Sequence, residues 1–120
     1  FEIFGLKQGE AHVLRNAGGV VTDDMIRSLA LSQRKLGTRE VLLVHHTNCG
    51  LQLVTEDEFK DELEQASGMR PPWSVEAFRE VKDSVRGSVN RVRHSPYLPH
   101  RDNVRGFVYD VHTGRLTEVV

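Results

Sequence analysis

The segment His45-His46-Thr47-Asn48-Cys49-Gly50 carries two side chains suited to metal chemistry. His46 and Cys49 stand three residues apart, directly after the short apolar run Val41-Leu42-Leu43-Val44. A buried strand that ends in His-x-x-Cys-Gly sets an imidazole and a thiol on one loop, where both can face one point. Zinc binds thiolate sulfur and imidazole nitrogen well, usually through four ligands in a tetrahedron. His46 and Cys49 are therefore half of a zinc site, and Cys49 is the only cysteine of the chain. Gly50 is suited to a sharp turn or to the close approach of a ligand. The competing reading is packing, since cysteine commonly serves as a small buried hydrophobe. A cysteine–histidine nucleophile pair fits less well, because such pairs come from separate elements of the fold. There is no Cys-x-x-Cys, and residues 50 to 58 lack the arginine that a phosphatase-type cysteine loop needs.

The other histidines, His12, His94, His100 and His112, show no ligand spacing and read as structural or exposed. His45 falls on the opposite side of the chain from His46 if the strand continues that far, which makes it a packing residue or a support behind the ligand.

The elements that must position this loop alternate between helix and strand. Glu10 to Arg15 reads as a short strand running into Asn16-Ala17-Gly18-Gly19, a strand-to-helix turn. Thr22 is a suitable N-cap, Asp23 and Asp24 suit the positive end of the helix dipole, and Met25, Ile26, Leu29, Ala30 and Leu36 share a face. Arg34 and Lys35 in the last turn and Gly37 as the stop complete the helix. Val41 to Val44 is a buried strand. Thr55 and Glu58 form a capping box ahead of Phe59, Leu63 and Ala66, with Gly68 as terminator. After Pro71-Pro72, Ser74 is expected to cap a longer helix with Val75, Phe78, Val81, Val85, Val89 and Val92 as its apolar stripe. Val104 to Tyr109 and Leu116 to Val120 read as a closing hairpin around His112-Thr113-Gly114. The order β, α, β, loop, α, α, β, β predicts an α/β fold, a mainly parallel sheet flanked by helices and closed by a C-terminal β-hairpin.

With 120 residues and no internal linker or repeat, residues 1–120 are expected to form a single domain. Sixteen Lys+Arg against 17 Asp+Glu leave a formal charge of -1, which gives no reason to expect nucleic acid or an anionic membrane as partner. No apolar stretch approaches the roughly 20 residues of a membrane span. A lone cysteine excludes an internal disulfide framework and agrees with a reducing, cytoplasmic setting. The chain opens on Phe1-Glu2-Ile3, which reads as the middle of a longer protein.

Four blocks together resemble the β-class carbonic anhydrases, closest to their small actinobacterial-type members. These are Glu10 to Gly19, Thr22-Asp23-Asp24, Leu36-Gly37-Thr38-Arg39-Glu40 and His45 to Gly50, joined by the tail Arg105 to Asp110 and Thr113 to Leu116. The resemblance implies a zinc cofactor held by two cysteines and one histidine, with His46 and Cys49 as two of the three protein ligands. It implies that a zinc-bound hydroxide converts carbon dioxide reversibly to bicarbonate, and that the protein forms a homodimer or a dimer of dimers. It places Asn16, Ala17, Gly18 and Gly19 near the active-site cleft and subunit contact. In the family, a Cys-x-Asp-x-Arg segment supplies the remaining zinc ligand and a catalytic Asp–Arg pair. That segment is expected upstream of Phe1, so no catalytic residue of that pair lies within the chain and a first central strand is missing from the sheet. Two rival readings follow: a non-catalytic oligomerising or binding module, and a hydrolase of carbon disulfide or carbonyl sulfide on the same fold.

Overall fold

The structure is a computed structural model that describes residues 4–120; the opening Phe1-Glu2-Ile3, read above as mid-protein sequence, lies outside the described residues. The first helix, α1 (Asp23–Leu36), starts and stops where its sequence dictates. Thr22 Oγ1 accepts from the Met25 amide at 3.4 Å, and Gly37 closes the helix in the left-handed conformation at φ 79°. Met25, Ile26, Leu29 and Ala30 pack on the core, whereas Leu36 falls off the buried face.

Strand β1 (Val41–His46) pairs in parallel with β2 (Val104–Tyr109), from Val41 opposite Val104 through His46 opposite Tyr109. Strand β3 (Leu116–Glu118) returns antiparallel to β2 and completes the sheet order β1-β2-β3. The sheet of the described residues thus holds one parallel and one antiparallel pairing. The returning strand ends at Glu118, before the expected Val120, because Val119 donates to the Gly106 carbonyl while Val120 accepts from the Gly106 amide. Two residues there oppose one, a bulge that ends regular pairing.

Between the parallel strands lie α2 (Glu56–Ser67) and α3 (Val81–Arg93). The α3 stripe of Val85, Val89 and Val92 is fully buried, and with Val41, Leu43, Val104, Val108 and Leu98 it makes the core. Burying such a side chain contributes about 1.5–3 kcal/mol. Gly106 explains how close α3 sits: a Cβ there would lie 2.4 Å from Val85 Cγ1 and 2.9 Å from Val89 Cγ2. By contrast α2, capped by Thr55 as expected and closed by Gly68, buries no residue. Among the described residues no helix is long and apolar enough to cross a membrane.

Two expectations fail. The long helix does not begin at Ser74: residues 74–80 are irregular and α3 starts at Val81. Glu76 is left-handed at φ 62°, which no helix tolerates, and the Glu56 carboxylate of α2 takes the free amides instead. It accepts from Val75 at 2.7 Å, Glu76 at 3.0 Å and Ala77 at 3.4 Å. A side chain distant in sequence thus does what the helix ladder would have done. Nor is Glu10 to Arg15 a strand. A strand exists only where a neighbour takes its amides and carbonyls; the free edge of β1 has no paired strand among the described residues, and Val13 and Leu14 stand exposed.

Candidate metal centre at the end of strand β1

Strand β1 runs two residues past its apolar run because β2 keeps pairing with it as far as Tyr109. The period of two then separates the adjacent histidines, His45 inward and His46 outward. Past the strand, the Thr47 amide still donates to the Tyr109 carbonyl at 3.0 Å. Asn48 reverses the chain at φ 56°, a conformation Asn adopts more readily than most residues. Cys49 then turns inward as a buried free thiol, 5% exposed, and Gly50–Gln52 forms a short 3-10 turn tied by Gln52 N to Cys49 O at 3.0 Å. Of the two roles open to Gly50, a sharp turn or the close approach of a ligand, the turn is not its own. It falls on Asn48 instead, and a Cβ at Gly50 would meet nothing within 4 Å.

His46 Nδ1 lies 2.8 Å from the Thr47 carbonyl oxygen. A carbonyl only accepts, so Nδ1 carries the proton and Nε2 keeps a free lone pair. That is how a metal-binding imidazole is usually prepared. Together with the Cys49 sulfur, the donor set fits zinc. Among the described residues no group of three or more His, Cys, Asp and Glu is arranged to hold a metal ion.

His45 is 1% exposed, and neither ring nitrogen has a hydrogen-bond partner among the described residues. Loss of solvent holds its pKa below the usual imidazole value. The Gly19 backbone nearby opposes this without hydrogen-bond geometry, and the neighbouring His46 adds to it. Its ring packs beside Phe78, with centroids 6.3 Å apart. His45 is thus a packing residue, as its place in the strand required.

The Asn16-Ala17-Gly18-Gly19 block comes directly against this strand end. Asn16 Nδ2 donates to the Val20 carbonyl at 2.8 Å, and Ala17–Gly19 forms a 3-10 turn. Both glycines are favoured by conformation, and at Gly19 backbone also leaves no space for a side chain. Gly18 has φ 80°, and a Cβ on it would lie 2.4 Å from Leu51 Cδ1. Gly19 has φ 66°, and a Cβ there would lie 2.6 Å from the Val44 carbonyl oxygen. The turn at 16–19 therefore packs against the end of β1 and against Leu51, on either side of the loop at 46–50. The remaining histidines behave as expected of residues without ligand spacing: His12 bonds Ser32 Oγ at 2.8 Å and His94 donates to the Asn90 carbonyl at 2.8 Å. The His100 backbone is clasped by the side chain of Gln33. His112 is the exception. It sits on the loop itself, 2.6 Å from Asn48 Nδ2, a contact that no local spacing announces.

Matches to known proteins agree with this geometry. The carbonic anhydrase family model matches residues 1–116. The chain is 51% identical over 119 residues to β-carbonic anhydrase 1 of Mycobacterium tuberculosis, covering 99% of this chain and 73% of that protein. It is 33% identical over 128 residues to a carbon disulfide hydrolase of Acidithiobacillus thiooxidans, covering 91% of this chain and 64% of that protein. Among solved structures, a carbonic anhydrase from Streptococcus mutans superposes with a TM-score of 0.90 at 42% identity, over 99% of this chain and 72% of that one. The fold and the strand-end loop define an α/β protein of the carbonic anhydrase type. The chain belongs to the carbonic anhydrase family, in its β class.

Proposed function

We propose that the protein catalyses the reversible hydration of carbon dioxide to bicarbonate with zinc held by His46 and Cys49. The observation that carries this reading is the His46 ring. Its Nδ1 proton is fixed on the Thr47 carbonyl, which leaves Nε2 free three residues before a buried thiol. The 51% identity to a mycobacterial β-carbonic anhydrase supports the same chemistry over nearly the whole chain. When bound, zinc supplies Lewis acidity, which makes hydroxide available near neutral pH.

The chain's own residues do the rest. Cys49 must release its proton to become a ligand, so zinc binding liberates a proton. Thr47 fixes the tautomer and the direction of the His46 ring. Asn16, Ala17, Gly18 and Gly19 form a wall of the substrate pocket and a subunit contact, their bare backbone lying against the strand that carries His46. The remaining zinc ligand and an Asp–Arg pair come from outside the described residues. Residues 1–120 act as one α/β unit within a homodimer or a dimer of dimers. A cytoplasmic location belongs to the same reading, supported by the unpaired Cys49.

The likeness to carbon disulfide hydrolases, at 33% identity, motivates a second substrate test. Stopped-flow hydration of carbon dioxide should run well above the uncatalysed rate and collapse in His46→Ala, with carbon disulfide turned over far more slowly. Faster hydrolysis of carbon disulfide would transfer the protein to that chemistry. A zinc-loaded protein inactive on both substrates would favour the non-catalytic module.

A further inference from the structure

The ligand loop is held from outside by the hairpin turn at the far end of β2. Thr47 and Asn48, the two residues between His46 and Cys49, make three contacts with it. The Thr47 amide donates to Tyr109 O at 3.0 Å, the Val111 amide donates to Thr47 Oγ1 at 3.1 Å, and Asn48 Nδ2 lies 2.6 Å from His112 Nε2. The turn is itself rigid. Asp110 Oδ1 accepts from the His112 amide at 2.8 Å and the Thr113 amide at 3.2 Å, and the backbone closes through Gly114 N to Asp110 O at 2.8 Å and Asp110 N to Arg115 O at 2.9 Å. These amides hold the Asp110 carboxyl below the usual aspartate range, His112 first. Asn48 reverses the chain between the two ligands in the left-handed region, where its side chain points outward to the turn.

From this juxtaposition we propose that His112 is a positioning residue for the zinc site. Through Asn48 it holds the left-handed bend that lies between His46 and Cys49. This rests on the zinc reading given above, but the brace itself is a property of the protein chain.

The test uses the holoenzyme and its metal-free form, with His112→Ala, His112→Gln and Asn48→Gly. Glutamine keeps an acceptor oxygen for Asn48. Glycine favours the left-handed bend but removes the contact. The expected result is about a 10-fold weaker hold on zinc against a chelator in His112→Ala and in Asn48→Gly, the loss usual when a partner behind a metal ligand is removed. The double variant should add little to either, and His112→Gln should return most of the affinity. In the metal-free protein, alkylation of the Cys49-containing peptide should accelerate about 10-fold in the same two variants, as the local loop opens, while amide exchange in α3 stays as in the parent. Unchanged zinc retention and unchanged Cys49 alkylation in His112→Ala would overturn the proposal. So would an increase in α3 exchange matching that at Cys49, which would mark general destabilisation. Should the parent hold no zinc while Cys49 alkylation still responds, the brace stands and the zinc reading falls.

Discussion

The two sides of β1 are built differently. Toward β2 every residue from Val41 to His46 has its register partner, and α3 seals that half of the sheet with three valines that reach no solvent. On the other edge no strand is paired among the described residues, and Ala11 to Arg15 carries Val13 and Leu14 into solvent. The candidate site sits where these sides meet. Contacts to Tyr109, Val111 and His112 hold the His46–Cys49 loop from the finished side, and the Asn16–Gly19 turn packs against Val44, His45 and Leu51 on either side of it. Stability is therefore carried by the finished side, and substitutions on the two sides should differ in size of effect.

The largest effect is expected on the finished side. Leu98, 1% exposed, fills the core beneath α3, and Leu98→Ala should cost about 2–5 kcal/mol in denaturant unfolding. A loss below 1 kcal/mol would mean that this core is not what holds the sheet. His45→Leu should act in the opposite direction. The ring is buried without a hydrogen-bond partner, so an apolar replacement of similar bulk removes a desolvation cost and should raise stability by about 1 kcal/mol. A fall of that size would reveal a partner for the ring.

Glu56 gives a pH-dependent contrast. The Val75 amide above all, with Ala77, Lys60 and Glu76, holds its carboxyl below the ordinary value of 4.5, against a smaller opposing effect of desolvation. A folded-state pKa below the unfolded one stabilises fully above the unfolded value and loses that stabilisation as pH falls through the folded value. Thermal midpoints of the parent should therefore exceed those of Glu56→Gln at pH 7 and converge with them below pH 4.5. A gap that persists in acid would show that the charge is not what clamps residues 75–77. The smallest effect belongs to the open side. Leu14→Ala, at 44% exposure, should change unfolding by no more than about 0.5 kcal/mol. A loss above 1 kcal/mol would show that a second subunit covers this surface and would break the contrast.

What the chain announces beforehand follows the range of the interactions. The caps at Thr22, Gly37, Thr55 and Gly68 are local, and each falls where its residue type places it. The alternation that parts His45 from His46 is equally local once the strand is known to continue. The helix expected from Ser74 failed because Glu56, 18 residues earlier, takes the amides on which a helix would be built. The strand expected at Glu10 to Arg15 failed because strand formation depends on a neighbour. His46 and Cys49 are candidates by their spacing alone, whereas His112 reaches Asn48 across 64 positions and has no signature in its surroundings. The ambiguity between a buried thiol and a ligand lies in Cys49 itself, since both roles call for a sheltered sulfur.

The most direct test of that role is zinc content by elemental analysis of the purified protein beside His46→Ala and Cys49→Ser, with folding checked by circular dichroism. One zinc per chain in the parent and a loss of most of it in both variants, with the fold retained, is the expected result. Full zinc content in either variant would contradict the assignment of these two side chains as ligands.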